Sequence, residues 1–399
     1  MTQKADILIA GAGAAGLISG IALAKSGYNV IVAGPPDTRR NGRTVALFEA
    51  SLRLLRALDL WPVVEPISSP LAKIRFVDAT DSLFRTPNID LDAREIGLPA
   101  FGYNIENAGM VERLAEVARK TPGLTLIEDF VSRYSLREDH IDAELRNGDT
   151  ITAKLLVGAD GKASMVRKAA GLVPKEWRYP QTAITAILTH EKPHGDVSTE
   201  FHTRQGPCTL VPMRDDEQGR HRSSLVWLMS PVVADRRNEM DDDRLIADVE
   251  RQVGYVYGHM KIASPRGMFP ISGLKLQKLS APRVALVADA GHYFPPIGAQ
   301  GLNLGLRDVA HLVDCVKGDP GALENMRAYD DSRRGDIALR TLGVDMLNRS
   351  LLTDFTGLDI LRGVGLMALA TLGPLRRKVM REGVVPSGDL PRLMQALGG

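Results

Sequence analysis

Two short apolar runs, Asp6 to Ala10 and Val30 to Ala33, bracket an apolar helical pattern that extends to Ala24 and closes at Gly27. Strand, helix and strand in that order predict a βαβ unit with buried parallel strands. Between Arg43 and Leu60, Leu47, Leu54, Leu55 and Leu58 share one helical face, so the spacing predicts a helix ending before Trp61-Pro62. Lys73 to Val77 reads as a strand leaving this layer, and Asn107 to Lys120 as an amphipathic helix returning to it. Short strands follow at Leu124 to Ile127, Ser132 to Leu136 and Ile141 to Leu145, with a hairpin-turn signal at Asn147-Gly148. A buried strand beginning near Lys154 stops at Asp160-Gly161, ahead of a short helix.

The pattern changes at Trp177. From there to Leu274 apolar and polar residues alternate, giving strands at Thr182 to Leu188, Thr199 to His202, Cys208 to Pro212 and Ser223 to Met229, interrupted by a charged helix, Asp241 to Gln252. No βαβ rhythm survives, so a mainly antiparallel second layer is expected. Val284 to Val287 rejoins the first sheet, and helices close the chain: Leu302 to Val316, Ala322 to Arg349 and about Leu358 to Met380. The fold class is therefore α/β. A Rossmann-type domain with C-terminal helices (residues 1–71, 101–174 and 278–399) is interleaved with a mainly antiparallel β-sheet domain (72–100 and 175–277). Interleaving predicts a buried interface, where a ligand would sit.

Composition narrows the classes. With 44% hydrophobic and 25% charged residues the chain is an ordinary globular protein, and its net charge of +2, with acids and bases intermixed, speaks against nucleic acid. Cys208 and Cys315 stand far apart without any CxxC spacing, and His190, His194, His202 and His221 show no metal-ligand interval. The opening residues lack the zones of a signal peptide, and the uncharged stretch Gly363 to Leu375 is too short to cross a bilayer, so a cytoplasmic protein is expected.

Candidate chemistry lies at two glycine-bearing turns. The first is Gly11-Ala12-Gly13-Ala14-Ala15-Gly16, placed between the first strand and helix: Gly11 for the tight turn, Gly13 for close approach of a pyrophosphate, Gly16 for helix packing. The acid expected near the end of the second strand is replaced by Gly34, and Asp37 is the nearest carboxylate. The second turn spans residues 287–308. Asp289 ends an apolar run, and Pro295-Pro296, Gly298, Gly301 and Gly305 lead into a helix bearing Asn303 and Asp308. A helix N-terminus after such a turn suits an anionic group, although an ordinary strand-loop-helix connection has the same pattern. Arg43 fits both a phosphate contact and a solvated helix start, and Asp160 fits both a ligand contact and a plain turn.

Taken together, GAGAAG at 11–16, GADG at 158–161 and ADAGH with PPIGAQGLNLG at 288–305 resemble the FAD-dependent aromatic hydroxylases of the para-hydroxybenzoate hydroxylase type. More closely, the chain resembles the ubiquinone-biosynthesis hydroxylases of that superfamily. Further support comes from RTVAL at 43–47, WRYPQTA at 177–183, GPCTLVPM at 206–213, SLVW at 224–227, and Tyr329 with Arg333, Arg334, Gly335 and Asp336. The resemblance implies that Gly11, Gly13, Ala14, Ala15 and Gly16 hold the FAD pyrophosphate, that Arg43 contacts the cofactor, and that Asp289 meets its ribityl or pyrophosphate part. Pro296, Gly298, Ala299, Gln300, Gly301, Leu302 and Asn303 would line the isoalloxazine loop, and Asp160 matches a motif tied to FAD and pyridine-nucleotide use. No catalytic acid or base is assigned, and His292 is read as structural or cofactor-adjacent. Ala288 stands where the family's GDAAH motif has glycine, and Gly298-Ala299 inverts the usual pair.

The implied reaction uses NAD(P)H and O2, through a flavin hydroperoxide, to hydroxylate the ring of a lipophilic aromatic substrate, a polyprenylated phenol or quinol of ubiquinone biosynthesis. Such a tail calls for a membrane surface or a quinone-biosynthesis complex. The apolar then basic run from Leu358 through Leu375 to Arg381 fits a peripheral membrane contact and equally fits packing on the flavin domain. Two other readings stay open: a hydroxylase of a soluble aromatic compound, and a flavin-fold scaffold without turnover. A homo-oligomer is also compatible with the sequence.

Overall fold

The computed structural model describes residues 2–79, 88–203, 206–295, 297–352, 371–386, 388 and 390–396. Its first sheet is built on parallel strands in the spatial order Val284–Leu286, Thr150–Gly158, Thr2–Ala10, Val30–Ala33, Leu124–Ile127. Register decides what this sheet presents. Ala10 lies opposite both Ala33 and Gly158, and Gly158 lies opposite Leu286, so four strands end on one line. The residues that follow, Gly11, Gly34, Ala159-Asp160 and Val287 to Asp289, therefore emerge together at the carboxyl edge, where open α/β sheets bind their ligands.

Alternation in the strands divides the core. Ile7, Ile9, Val30 and Val32 face the helices Ala14–Lys25, Asn107–Lys120 and Gln300–Cys315. Leu8, Ala10 and Ile31 face the other way, onto a hairpin formed by Val131–Leu136 and Ile141–Leu145. The expected Asn147-Gly148 turn joins that hairpin to Thr150–Gly158, with Gly148 at φ 86°. Both faces are covered, as a parallel sheet requires.

The second sheet is mainly antiparallel, as its alternation predicts. Its order is His292–Tyr293, Gly267–Lys275, Lys175–His190, His221–Met229, Cys208–Met213, Val197–His202, Lys73–Asp78, Ile89–Asp92, and only the pairing of Val197–His202 with Lys73–Asp78 is parallel among these. Ile184, Ala186, Leu188, Leu225 and Trp227 point to a local core under the helices Pro231–Asn238 and Asp242–Gln252. Alternation sends Ala183, Thr185, Val226, Leu228, Thr209, Val211 and Phe269 to the opposite face. That face looks at the first domain: Arg43 lies 5.0 Å above the Phe269 ring, and Thr44 and Ser224 hydroxyls are 2.9 Å apart.

Three expectations are revised. The stretch from Arg43 to Leu60 is not one helix: Thr44–Phe48 is a strand paired antiparallel with Gly102–Glu106, and the helix covers only Glu49–Ala57. Leu54, Leu55 and Leu58 keep helical spacing, whereas Leu47 is buried from a strand. The strand entering the second sheet begins at Lys175 rather than Thr182, the earlier residues continuing the pairing with Gly267–Lys275 past an irregularity between Arg178 and Thr182. His292-Tyr293, which the boundary at 278 assigns to the first domain, is an edge strand of the second sheet. Pro296 and residues 358–370 of the expected last helix lie outside the described residues, and the described helix there is Gly373–Val384.

Candidate functional site

The glycine turn has the stereochemistry its motif demands. Gly11 adopts φ 106°, and a Cβ there would sit 2.5 Å from the Ala159 carbonyl oxygen. A Cβ on Gly16 would lie 1.9 Å from the Gly11 carbonyl oxygen, so the helix packs on its own entry turn. Gly13 differs: it is exposed, takes an ordinary φ of −75°, and its Cβ direction is open. It begins a helix with no side-chain cap and no acid in the first turn, and Ala14 and Ala15 continue it. Unclaimed N–H groups and the positive end of the helix dipole thus face open space.

Gly34 explains its own departure from the expected acid. It sits at φ 138°, and any Cβ would approach the Ala12 amide nitrogen to 3.3 Å, so this turn has no place for a side chain. Asp37, the nearest carboxylate, is exposed and paired with Arg39 at 2.8 Å, which keeps it below its ordinary pKa.

The late turn is held from beneath. Asp308 is completely buried and accepts from Ala288 N at 2.9 Å, His292 Nε2 at 2.6 Å and Arg333 Nε at 2.7 Å. Burial works to raise its pKa, but His292 and Arg333 prevail and hold it below the ordinary aspartate value. Arg333 and Arg307 continue the network to Asp336, both at 2.9 Å. Ala288 is thereby fixed at φ 52°, an unfavourable conformation for a residue with a side chain. The carboxylate of its neighbour Asp289 makes no hydrogen bond among the described residues. Burial raises its pKa, against the pull of His292, Arg43 and Lys162.

Past Tyr293 the chain turns through Gly298 at φ 66° and Ala299 at φ 51° into the helix Gln300–Cys315, whose start again carries no side-chain cap. Asn303 is fully engaged. Its Oδ1 accepts from Phe48 N at 2.9 Å and Ser51 Oγ at 2.7 Å, and its Nδ2 donates to Ala46 O at 2.8 Å and Ala299 O at 2.7 Å. The side chain ties the turn to the Thr44–Phe48 strand. Gln300 donates to Gly298 O, while Gly301 has an open Cβ direction and Leu302 is half-buried. Asp160 caps a short helix, its Oδ2 accepting from Met165 N at 2.7 Å, while its buried Oδ1 lacks a partner.

The elements that carry these residues converge, since the helices Ala14–Lys25 and Gln300–Cys315 pack side by side and Asp289 feels both Arg43 and Lys162. Residues 4–317 match the family described as FAD binding domain. The chain belongs to that family. It is 32% identical to ubiquinone hydroxylase UbiL of Rhodospirillum rubrum over 99% of this chain and 94% of the relative. It is 28% identical to the 3-demethoxyubiquinol 3-hydroxylase of Escherichia coli, over 95% and 98% respectively. The fold matches p-nitrophenol 4-monooxygenase PnpA of Pseudomonas putida, with a TM-score of 0.79 at 15% identity over 97% of this chain and 100% of that one. HpxO of Klebsiella pneumoniae, solved with FAD, matches with a TM-score of 0.75 at 20% identity, over 96% and 99%. This flavoprotein is an FAD-dependent aromatic hydroxylase with the fold of those enzymes.

The residues present fit FAD. Two uncapped helix starts, an open Gly13 and an unpartnered Asp289 carboxylate are what a dinucleotide with a polyhydroxyl linker would engage. Sequence reasoning missed Lys162. Its ammonium donates to Ser272 Oγ and stands 4.5 Å from the Tyr293 ring centroid, joining the two sheets beside Asp289. It also missed the Asp308 network, although Tyr329, Arg333 and Asp336 belong to one of the motifs that carry the resemblance. Tyr329 donates to Leu286 O at 2.8 Å, so that motif braces the strand before the turn.

Proposed function

We propose that this enzyme hydroxylates the aromatic ring of a polyprenylated phenol or quinol in ubiquinone biosynthesis, with NAD(P)H as electron donor. The observation that carries this reading is the near full-length likeness to two enzymes named for ubiquinone chemistry, one at 32% identity. The sheet face opposite the cofactor turn supports it. Ala183, Ile187, Val226, Leu228, Thr209, Val211 and Phe269 put no charge at its central positions. A neutral ring with a hydrocarbon tail suits such a wall, whose own side chains supply no charge to it.

Bound FAD supplies the redox chemistry and the activation of O2. The protein's share is placement and exclusion of water. Gly13 and the helix behind it anchor an anionic group, Asp289 offers a carboxylate to hydroxyls, and the buried Asp308 network keeps the turn at fixed height. The apolar face of the second sheet keeps the reacting ring dry, which strengthens every polar interaction made there.

Contact with a membrane surface belongs to the same reading. Leu339, Leu342 and Met346 form one exposed stripe, and Leu375 and Val379 another, beside the exposed cations Arg377 and Lys378. No described helix is long and apolar enough to cross a membrane. Leu339→Glu with Leu342→Glu should abolish co-sedimentation with anionic liposomes while leaving the flavin bound; undiminished co-sedimentation would remove the membrane from the reading.

Deleting the gene in its native host is the decisive experiment. A shortage of ubiquinone with a build-up of an under-hydroxylated precursor is expected, and normal quinone levels would overturn the assignment.

A further inference from the structure

Gln181 is the least explained buried polar residue of the second sheet. It is 2% exposed, yet neither Oε1 nor Nε2 has a hydrogen-bond partner among the described residues. Thr185, four positions on in the same strand and 8% exposed, also leaves its hydroxyl unpartnered. Trp227 Nε1 of the same sheet is also unpartnered, but it lies on the far face, in the core under the helices, and other polar groups nearby are satisfied. Tyr179 receives a hydrogen bond from Trp177 Nε1 at 2.7 Å and donates to Asp345. The buried carboxamide of Asn303 makes four hydrogen bonds.

Gln181 lies at the irregularity between Arg178 and Thr182, where Tyr179 and Gln181 are buried on either side of exposed Pro180. Tyr179 and Ala183 share an apolar cluster with Leu228 and Ile271, so Gln181 is buried beside that cluster, and position 185 follows Ala183 on its face. Ala183 pairs with Phe269, on which Arg43 rests, so this face is turned toward the cofactor turn. A carboxamide carries both donors and an acceptor, and burying it without partners is unfavourable unless something else supplies them.

We propose that Gln181 is a specificity-determining residue whose carboxamide hydrogen-bonds an oxygen substituent of the substrate ring, with Thr185 as a second contact from the same face. The proposal rests on the reading of the enzyme as a hydroxylase of a neutral prenylated phenol. A phenolic hydroxyl donates to Oε1, and an adjacent ring oxygen accepts from Nε2. A neutral amide selects an oxygenated ring without needing a charge, in keeping with the wall around it.

The test uses the flavin-loaded full-length enzyme and two probes: a short-chain prenylated phenol, and the same prenylated benzene without ring oxygen. Perturbation of the flavin absorbance reports binding. The natural protein should prefer the phenol by about tenfold, the worth of one good hydrogen bond at a desolvated site. Gln181→Met, similar in size but apolar, should bind both probes alike, keep its flavin, and melt at a higher temperature without probe because the orphan amide is gone. Thr185→Val should lose part of the preference. Equal binding of both probes by the natural protein, an unchanged preference in Gln181→Met, or a variant that loses flavin and stability together would overturn the proposal. Product analysis on the natural protein separates the two ideas. Preference without hydroxylated product would sink the functional reading alone, and product without preference would sink the role of Gln181 alone.

Discussion

Gly13 and Gly16 answer to different demands within one turn. Gly16 is required by the fold, because a methyl group there would collide with the Gly11 carbonyl, whereas nothing in the protein opposes a side chain at Gly13. Gly13→Val should therefore give a folded, colourless protein, checked by circular dichroism and flavin absorbance. Gly16→Ala should fail to accumulate as folded protein at all. Retained flavin in Gly13→Val would remove Gly13 from the cofactor's path. Ala288 makes the converse case, a side chain where the backbone wants none. At φ 52° it carries strain that glycine would relieve. After the entropy that glycine costs, Ala288→Gly should gain about 0.5–1 kcal/mol in denaturant unfolding. A loss of stability would show that the methyl group earns its place by packing against Gly305.

At the scale of elements, the late turn is supported by a buried cluster whose members come from three segments: His292, Asp308 and the helix bearing Arg333 and Asp336. Such a cluster is costly to break from one side, because the partners left behind stay buried and unpaired. Asp308→Ala should destabilise the enzyme by about 3–5 kcal/mol and weaken flavin retention, as read by unfolding and by flavin loss on dialysis. An effect below about 1 kcal/mol would mean that water replaces the carboxylate at little cost. The strand Thr44–Phe48 shows how one element supports another. Its Phe48 amide and Ala46 carbonyl both engage Asn303, so the first residues of the late helix are positioned by a strand far away in sequence.

Across the whole molecule, the charges buried among the last helices make stability depend on pH. His311, on the helix after the late turn, has its pKa pushed from 6.5 down to about 4, first by burial and next by the charge of Arg333. The unfolded chain binds this proton near pH 6.5 and the folded one only near pH 4, so its contribution is full above 6.5 and is lost as pH falls through that interval. Melting temperature should decline over that range, and His311→Gln should flatten the decline; an unaltered slope would exclude His311 as its source. Much of the architecture was legible in the chain itself. The βαβ start, the hairpin turn and the switch to period-two alternation are local signals, and so is the GxGxxG turn. The strand Thr44–Phe48 was hidden because Leu47 happens to continue the leucine spacing of the following helix, and only its partner Gly102–Glu106 reveals it. Gln181 belongs to a legible motif, but its lack of partners depends on burial by residues far away in sequence, which no local pattern encodes.

The short pairing of His292-Tyr293 with Leu274 and Lys275 has a consequence for anyone who would re-engineer this enzyme. The stretch that carries Asp289 is stitched into the second sheet, so the seam between the modules does not follow the order of the chain. A graft exchanging that sheet with a relative's would have to bring the stitch along, or the transplanted layer and the resident turn would arrive out of step.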